Sequence, residues 1–170
     1  MIIEAGKNIL RFLFFILLQV TIIRHMDMGI YFNPFLFVGA ILMLPLRLDK
    51  TLVLFIAFTT GLIIDMFYNT MGMNAAACTF MAFCRPSVLR FYSPAGDYNA
   101  DATATVGSMG IRWMISYAGT LIFLHHLVLF YLEMFSFHNF FTTLLKVILS
   151  GVATLILLLV TQSLLFRKAS

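Results

Sequence analysis

The chain has 170 residues, of which 62% are apolar and 11% charged, with a formal net charge of +4. Soluble domains carry about 25% charged residues, so this chain has too few polar side chains to cover a water-soluble globule, and it is too apolar to be disordered. At roughly 20 residues per membrane-spanning helix, these residues admit six spans and little else.

Apolar runs between charges predict helices over 9–23, 30–46, 51–68, 73–91, 113–135 and 144–166. Together they form a single six-helix membrane domain, and the long alternating strands of an outer-membrane barrel are missing. In the second run, Asn33 and Pro34 read as a helix cap and first-turn proline. In the fourth, Arg85 and Pro86 interrupt the apolar stretch. The helix is expected either to kink there, letting Arg85 snorkel toward the cytoplasm, or to end. Broken backbone at membrane depth is tolerated only where protein or water satisfies it, so both interruptions are expected to face the interior. The connection 92–112 begins with turn-forming Ser93, Pro94, Gly96, Asp97, Asn99 and Asp101. Its second half, through Gly107 and Gly110, is expected to start the fifth helix.

Basic residues set the orientation, because basic loops stay on the cytoplasmic side. Six spans place Lys7, Arg11, Arg47, Lys50, Arg85, Arg90, Arg112, Arg167 and Lys168 on one side, and Arg24 and Lys146 on the other. That asymmetry puts both termini in the cytoplasm. It also assigns the positive charge to the anionic inner leaflet, so no nucleic-acid partner is implied. Lys7 and Arg11 before an apolar stretch imitate a secretory signal, but no small-residue cleavage site follows Ile23, and the first helix is expected to stay attached.

A charged side chain near the bilayer centre costs about 2.5–3.5 kcal/mol on insertion scales, which makes Asp65 conspicuous. It reads as a group reaching the outer interface or capping the turn between Asn69 and Asn74. A packing role with Gly61 and a proton- or ion-coupling carboxylate are the alternatives. On the fifth helix, Arg112, Gly119, His126 and Glu133 recur every seven residues, with His125 alongside. Adjacent histidines diverge by about 100° on a helix and chelate poorly; metal sites favour i and i+4 spacing. The pair reads as interhelical hydrogen-bonding or partner-docking residues, as do Gln19 and Gln162. Cys78 and Cys84 point to different faces, giving no metal or redox pair. Ser108 lies at the cytoplasmic edge, far from the histidines. No catalytic set, metal site or cofactor is expected.

The stretch Gly61-Leu62-Ile63-Ile64-Asp65, followed by Met71-Gly72-Met73-Asn74-Ala75, resembles the rod shape-determining protein MreD family, in which a Gly-Leu-x-x-Asp helix end leads by a short turn into Gly-x-Asn/His-Ala. The run from Arg112-Trp113 to His125-His126-Leu127-Val128-Leu129-Phe130 resembles its Bacteroidetes members. The resemblance implies a non-enzymatic, multi-pass protein of the bacterial inner membrane that partners the single-span shape protein MreC. Through MreC it would reach MreB, RodA and a penicillin-binding transpeptidase, and so influence peptidoglycan synthesis. The six-span layout is also similar to the S-component fold of energy-coupling-factor transporters, which supplies an alternative: a vitamin-binding uptake subunit with Asp65, Asn69 and Asn74 lining its pocket. Against that alternative, 12–23 of the first helix holds no alanine or glycine for docking a coupling subunit. The candidate partner-interface or interhelical residues are thus Gly61, Asp65, Asn69, Gly72, Asn74, Arg112, Gly119, His125, His126 and Glu133. Substituting Asp65 or His126 is expected to weaken partner capture more than folding.

Overall fold

Uninterrupted apolar runs become long helices, and the interruptions decide the rest. The structure, a computed structural model, describes residues 2–23, 32–93, 98, 102–134 and 140–165. Its helices are α1 (Ile2–Thr21), α2 (Val38–Leu42), α3 (Lys50–Tyr68), α4 (Met73–Phe91), α5 (Val106–Met109), α6 (Ile111–Met134) and α7 (Phe140–Leu165). Among the described residues, β pairing is limited to an isolated bridge between Pro45 and Thr103.

α3, α6 and α7 are long and apolar enough to cross a membrane, and α1 contains a shorter apolar stretch, Ile9–Thr21. α3, α4, α6 and α7 pack in succession, each against the next in that order. The burial pattern is inverted relative to a soluble bundle. Phe55, Phe83, Phe141, Leu145 and Ile156 are exposed, whereas Gln19, Asp65, Arg85, His125, His126 and Gln162 are buried. Hydrocarbon outside and hydrogen-bonding groups inside suit a lipid solvent, where polar groups must find partners within the protein. The chain is a helical, multi-span membrane protein.

The second apolar run departs from the expected helix over 30–46. Only Val38–Leu42 is α-helical, and the chain from Pro34 to Leu44 is buried throughout. In a helix opened by Asn33 and Pro34 the N–H of Phe37 would bond to Asn33 O; it goes to Gln19 Oε1 (3.4 Å), and no helix opens there directly. Instead the chain enters through tight i→i−3 bonds, Val38 N–H to Phe35 O (3.2 Å), Gly39 N–H to Leu36 O (2.9 Å) and Ala40 N–H to Phe37 O (3.0 Å). Pro45, which has no N–H, follows the short helix. The segment is apolar all round because neighbours enclose it all round: Phe35 meets Tyr68, His126 and Phe130. A Cβ on Gly39 would lie 2.6 Å from Leu158 Cδ1 and 3.1 Å from Phe15 Cε1.

Two further expectations change. α4 neither ends at Pro86 nor releases Arg85 to the exterior; it runs through both to Phe91, and Arg85 is 3% exposed. The 102–112 stretch does not begin the fifth helix continuously, because Gly110 at φ +84° separates α5 from α6. Residues 94–97 and 99–101, where Pro94, Gly96, Asp97, Asn99 and Asp101 were read as turn formers, lie outside the described residues, as do Arg24, Arg167 and Lys168.

Candidate functional site

The buried polar residues fall into three groups along the bundle. The first joins α3 to α4. α3 ends at Asn69, whose backbone is left-handed at φ +55° and whose N–H returns to Asp65 O. The chain then turns through Gly72 at φ +82°, which stands at the cap position of α4 and supplies no capping side chain. Asp65 takes over that role from α3. Its Oδ1 accepts the N–H of Asn74 (3.0 Å) and its Oδ2 that of Ala75 (3.0 Å), the second and third residues of α4. Asn74 Nδ2 (3.1 Å) and the Thr70 hydroxyl also donate to Oδ1. The carboxylate thus satisfies two orphan donors and places negative charge at the positive end of a helix.

Gly61, one turn before Asp65, makes this possible. A Cβ there would stand 2.4 Å from Ala75 Cα and 2.6 Å from Ala75 N, so α3 and α4 meet with their backbones nearly in contact. Asn74 Oδ1 is buried without a partner among the described residues, and Asn69 is exposed.

The second group carries the non-helical backbone through the middle of the bundle. Gln19 on α1 donates to Pro34 O (3.2 Å) and to the Tyr68 hydroxyl (2.7 Å), and its Oε1 accepts the N–H of Phe37 (3.4 Å). On α7, Ser150 Oγ accepts the N–H of Asn33 and Thr154 Oγ1 that of Phe35, both at 3.0 Å. Three side chains thereby replace hydrogen bonds that a helix would have made for itself. His126 stands behind Thr154. Its Nδ1 is 2.8 Å from Ile122 O, which can only accept, so Nδ1 carries the proton; Nε2 lies 3.2 Å from Thr154 Oγ1, whose single proton is directed to Ser150 O at 2.8 Å. His125 is different. It is fully buried, with Phe35, Phe37 and His126 as ring neighbours, and neither ring nitrogen has a partner among the described residues.

The third group lies toward the opposite end of α4 from Asp65. Arg85 Nε donates to the Tyr117 hydroxyl (2.9 Å), which donates to Leu42 O (3.0 Å), while Nη2 reaches Leu44 O (2.7 Å) and Pro45 O (3.2 Å). A cation and a hydroxyl serve the carbonyls left open after α2, the end of a helix that attracts positive charge. Nearby, Leu46 N–H donates to Ala102 O (3.0 Å), and Gln162 Oε1 accepts from Val106 N–H (2.9 Å).

The heptad-spaced residues of α6 do not form one site. His126 is buried, Gly119 is half-buried and Arg112 and Glu133 are exposed; Glu133 pairs with Lys146 at 3.0 Å, whose ammonium also lies 4.4 Å over the Phe130 ring. An α-helix drifts about 20° per heptad, and Arg112 and Glu133 stand near opposite ends of α6. Sequence reasoning passed over Thr154, Ser150, Tyr117 and Thr70. Ser150 and Thr154 did carry a signal: of the six hydroxyl residues of α7, they stand four apart in its apolar middle, on the face that also buries Thr143 and Gln162.

Chemically, these groups hold backbone together. Among the described residues no three His, Cys, Asp or Glu side chains are placed to bind a metal, and Ser108 is exposed on α5. Comparison with protein-family models, with curated proteins and with solved structures finds no match.

Proposed function

We propose that the chain is a non-enzymatic scaffold of the MreD type, a multi-pass protein of the bacterial inner membrane that binds an MreC-like single-span partner in the cell-wall elongation machinery. The engagement of Asp65 carries this reading. The carboxylate in the apolar part of α3 is consumed in capping α4, and the histidine pair is enclosed. The polar groups therefore serve to make a firm body whose exterior is apolar, with Leu10, Leu13 and Leu17 on α1 and Phe55, Phe58 and Met66 on α3 exposed. Such a surface suits van der Waals packing with another membrane helix.

Six crossings, with both termini cytoplasmic, follow if α1, the 32–48 segment with its buried 34–44 stretch, and α4 are counted with α3, α6 and α7. The basic residues then divide nine to two. The uptake-subunit reading has Asp65, Asn69 and Asn74 lining a substrate pocket; Asp65 and Asn74 are buried and bonded to each other, and Asn69 is exposed, which favours the scaffold.

Depletion in a rod-shaped host tests the proposal. The expected result is loss of width control, with an MreC-like protein co-purifying with the chain in detergent. Unchanged cell shape, together with a vitamin-dependent rise in thermal stability, would overturn it. A reporter fused to the C-terminus should read as cytoplasmic.

A further inference from the structure

Three cations surround one pocket at the Arg85 end of the bundle. The pocket has a volume of about 260 Å³ and lies between 46–53 and α4, with Arg47, Lys50 and Arg85 in its wall beside Leu48, Val53 and Pro86. Among the described residues no carboxylate lines it. Asp49, next in the chain, is exposed and turned to the N–H groups of Thr51 and Leu52.

Arg85 is the informative member. Its acceptors are three neutral oxygens, those of Tyr117, Leu44 and Pro45, and no carboxylate among the described residues pairs with it. A guanidinium 3% exposed in a membrane protein calls for a counter-charge. The fork geometry of Arg beside the point charge of Lys suits the oxygens of a phosphate.

A neighbouring feature identifies where that phosphate comes from. On the other side of Leu48, which lines both, an apolar groove of about 510 Å³ runs between α1 and α3 past Phe12, Ile16, Leu52, Phe55 and Ile56. A basic pocket beside a hydrocarbon-lined groove fits a molecule with an anionic head and an apolar chain. Basic pockets between membrane helices are a known way to hold such headgroups. We propose that the Arg47–Lys50–Arg85 pocket binds the phosphate of an anionic phospholipid whose acyl chain lies along the α1–α3 groove. The groove shares Leu13 and Phe55 with the exposed face offered to a partner helix, and the lipid site rests on the pocket and groove alone.

The test uses the purified full chain in non-ionic detergent, with its thermal unfolding midpoint followed against added dioleoyl phosphatidylglycerol, dioleoyl phosphatidylcholine or inorganic phosphate. Phosphatidylglycerol should raise the midpoint saturably, well beyond the other two. Arg47→Gln with Lys50→Gln, at two exposed positions, should raise its half-saturating concentration about tenfold or more, read as the shift from the variant's own lipid-free midpoint. Arg85→Lys, which keeps the charge and loses the fork, should also weaken the response. Equal shifts with both phospholipids, or an undiminished phosphatidylglycerol response in the double variant, would overturn the site. An equal shift with inorganic phosphate would overturn the lipid as its source.

Discussion

The carboxylate of Asp65 accepts the backbone N–H of Ala75 at 3.0 Å, so a side chain near the end of α3 completes the beginning of α4. Removing it leaves the N–H groups of Asn74 and Ala75 buried without acceptors, at about 1–3 kcal/mol for each orphaned group. Asp65→Ala should therefore destabilise the protein by about 3 kcal/mol, read as a fall in the thermal midpoint in detergent. Asp65→Asn, which retains one acceptor oxygen, should cost about half as much. This geometry gives Asp65 a folding role beside the partner-capture role that the sequence led us to expect. A near-parental midpoint for Asp65→Ala would refute the capping role.

Gly61 and Gly151 should respond oppositely to the same change. At Gly61 a methyl group meets the Ala75 backbone at 2.4 Å, whereas at Gly151 the nearest atom it meets is Ile122 Cγ2 at 3.8 Å. Backbone cannot rotate aside as a side chain can, so Gly61→Ala must part α3 from α4 and weaken the Asp65 cap with it. Overpacking of this kind costs about 1–3 kcal/mol. Gly151→Ala should be neutral or slightly stabilising, since alanine is the better helix former. Thermal midpoints of the two variants in one detergent make the comparison.

Thr154→Val should cost about 1–3 kcal/mol, because it keeps the shape of the side chain and removes the acceptor for the Phe35 N–H. Thr154→Ser should restore most of that loss. Gln19→Leu removes support from the same stretch, at Pro34 and Phe37. Because both substitutions loosen one short segment, the double variant should lose less than the sum of the single losses. Strict additivity in a double-mutant cycle would mean that the two supports act independently.

The long helices were legible because an apolar run bounded by charges has few other ways to fold: α4 has the expected ends, and α3 begins one residue early at Lys50. The 32–48 segment was not legible. Its apolar residues fit a buried helix equally well, and what keeps it irregular is a set of acceptors from Gln19, Ser150 and Thr154, distant in the chain. The turn role of Asp65 could be read from the spacing of Asn69, Gly72 and Asn74, which supply a left-handed stop, a left-handed cap and the first donors. The Arg85–Pro86 interruption faces the interior as expected, but the partners of Arg85 there could not be read, since Leu44 and Pro45 follow a helix five residues long that the sequence presents as three times that length.

Adjacent histidines on α6 give the sharpest contrast. His126 bonds Ile122 O through Nδ1, and its Nε2 lies 3.2 Å from the Thr154 hydroxyl, so His126→Leu removes the bond to Ile122 O and the polar contact beside Thr154. A loss of about 1–3 kcal/mol is expected. His125 is as deeply buried, yet its two nitrogens have no partners among the described residues, and burying a polar group unsatisfied is itself unfavourable. Leucine is close in size to histidine and would pack against Phe35 and Phe37, the ring neighbours of His125. His125→Leu should therefore leave the midpoint unchanged or raise it. Equal losses at the two positions would show that His125 has a polar partner in the folded protein, and a search for that partner would then begin beside Phe35 and Phe37.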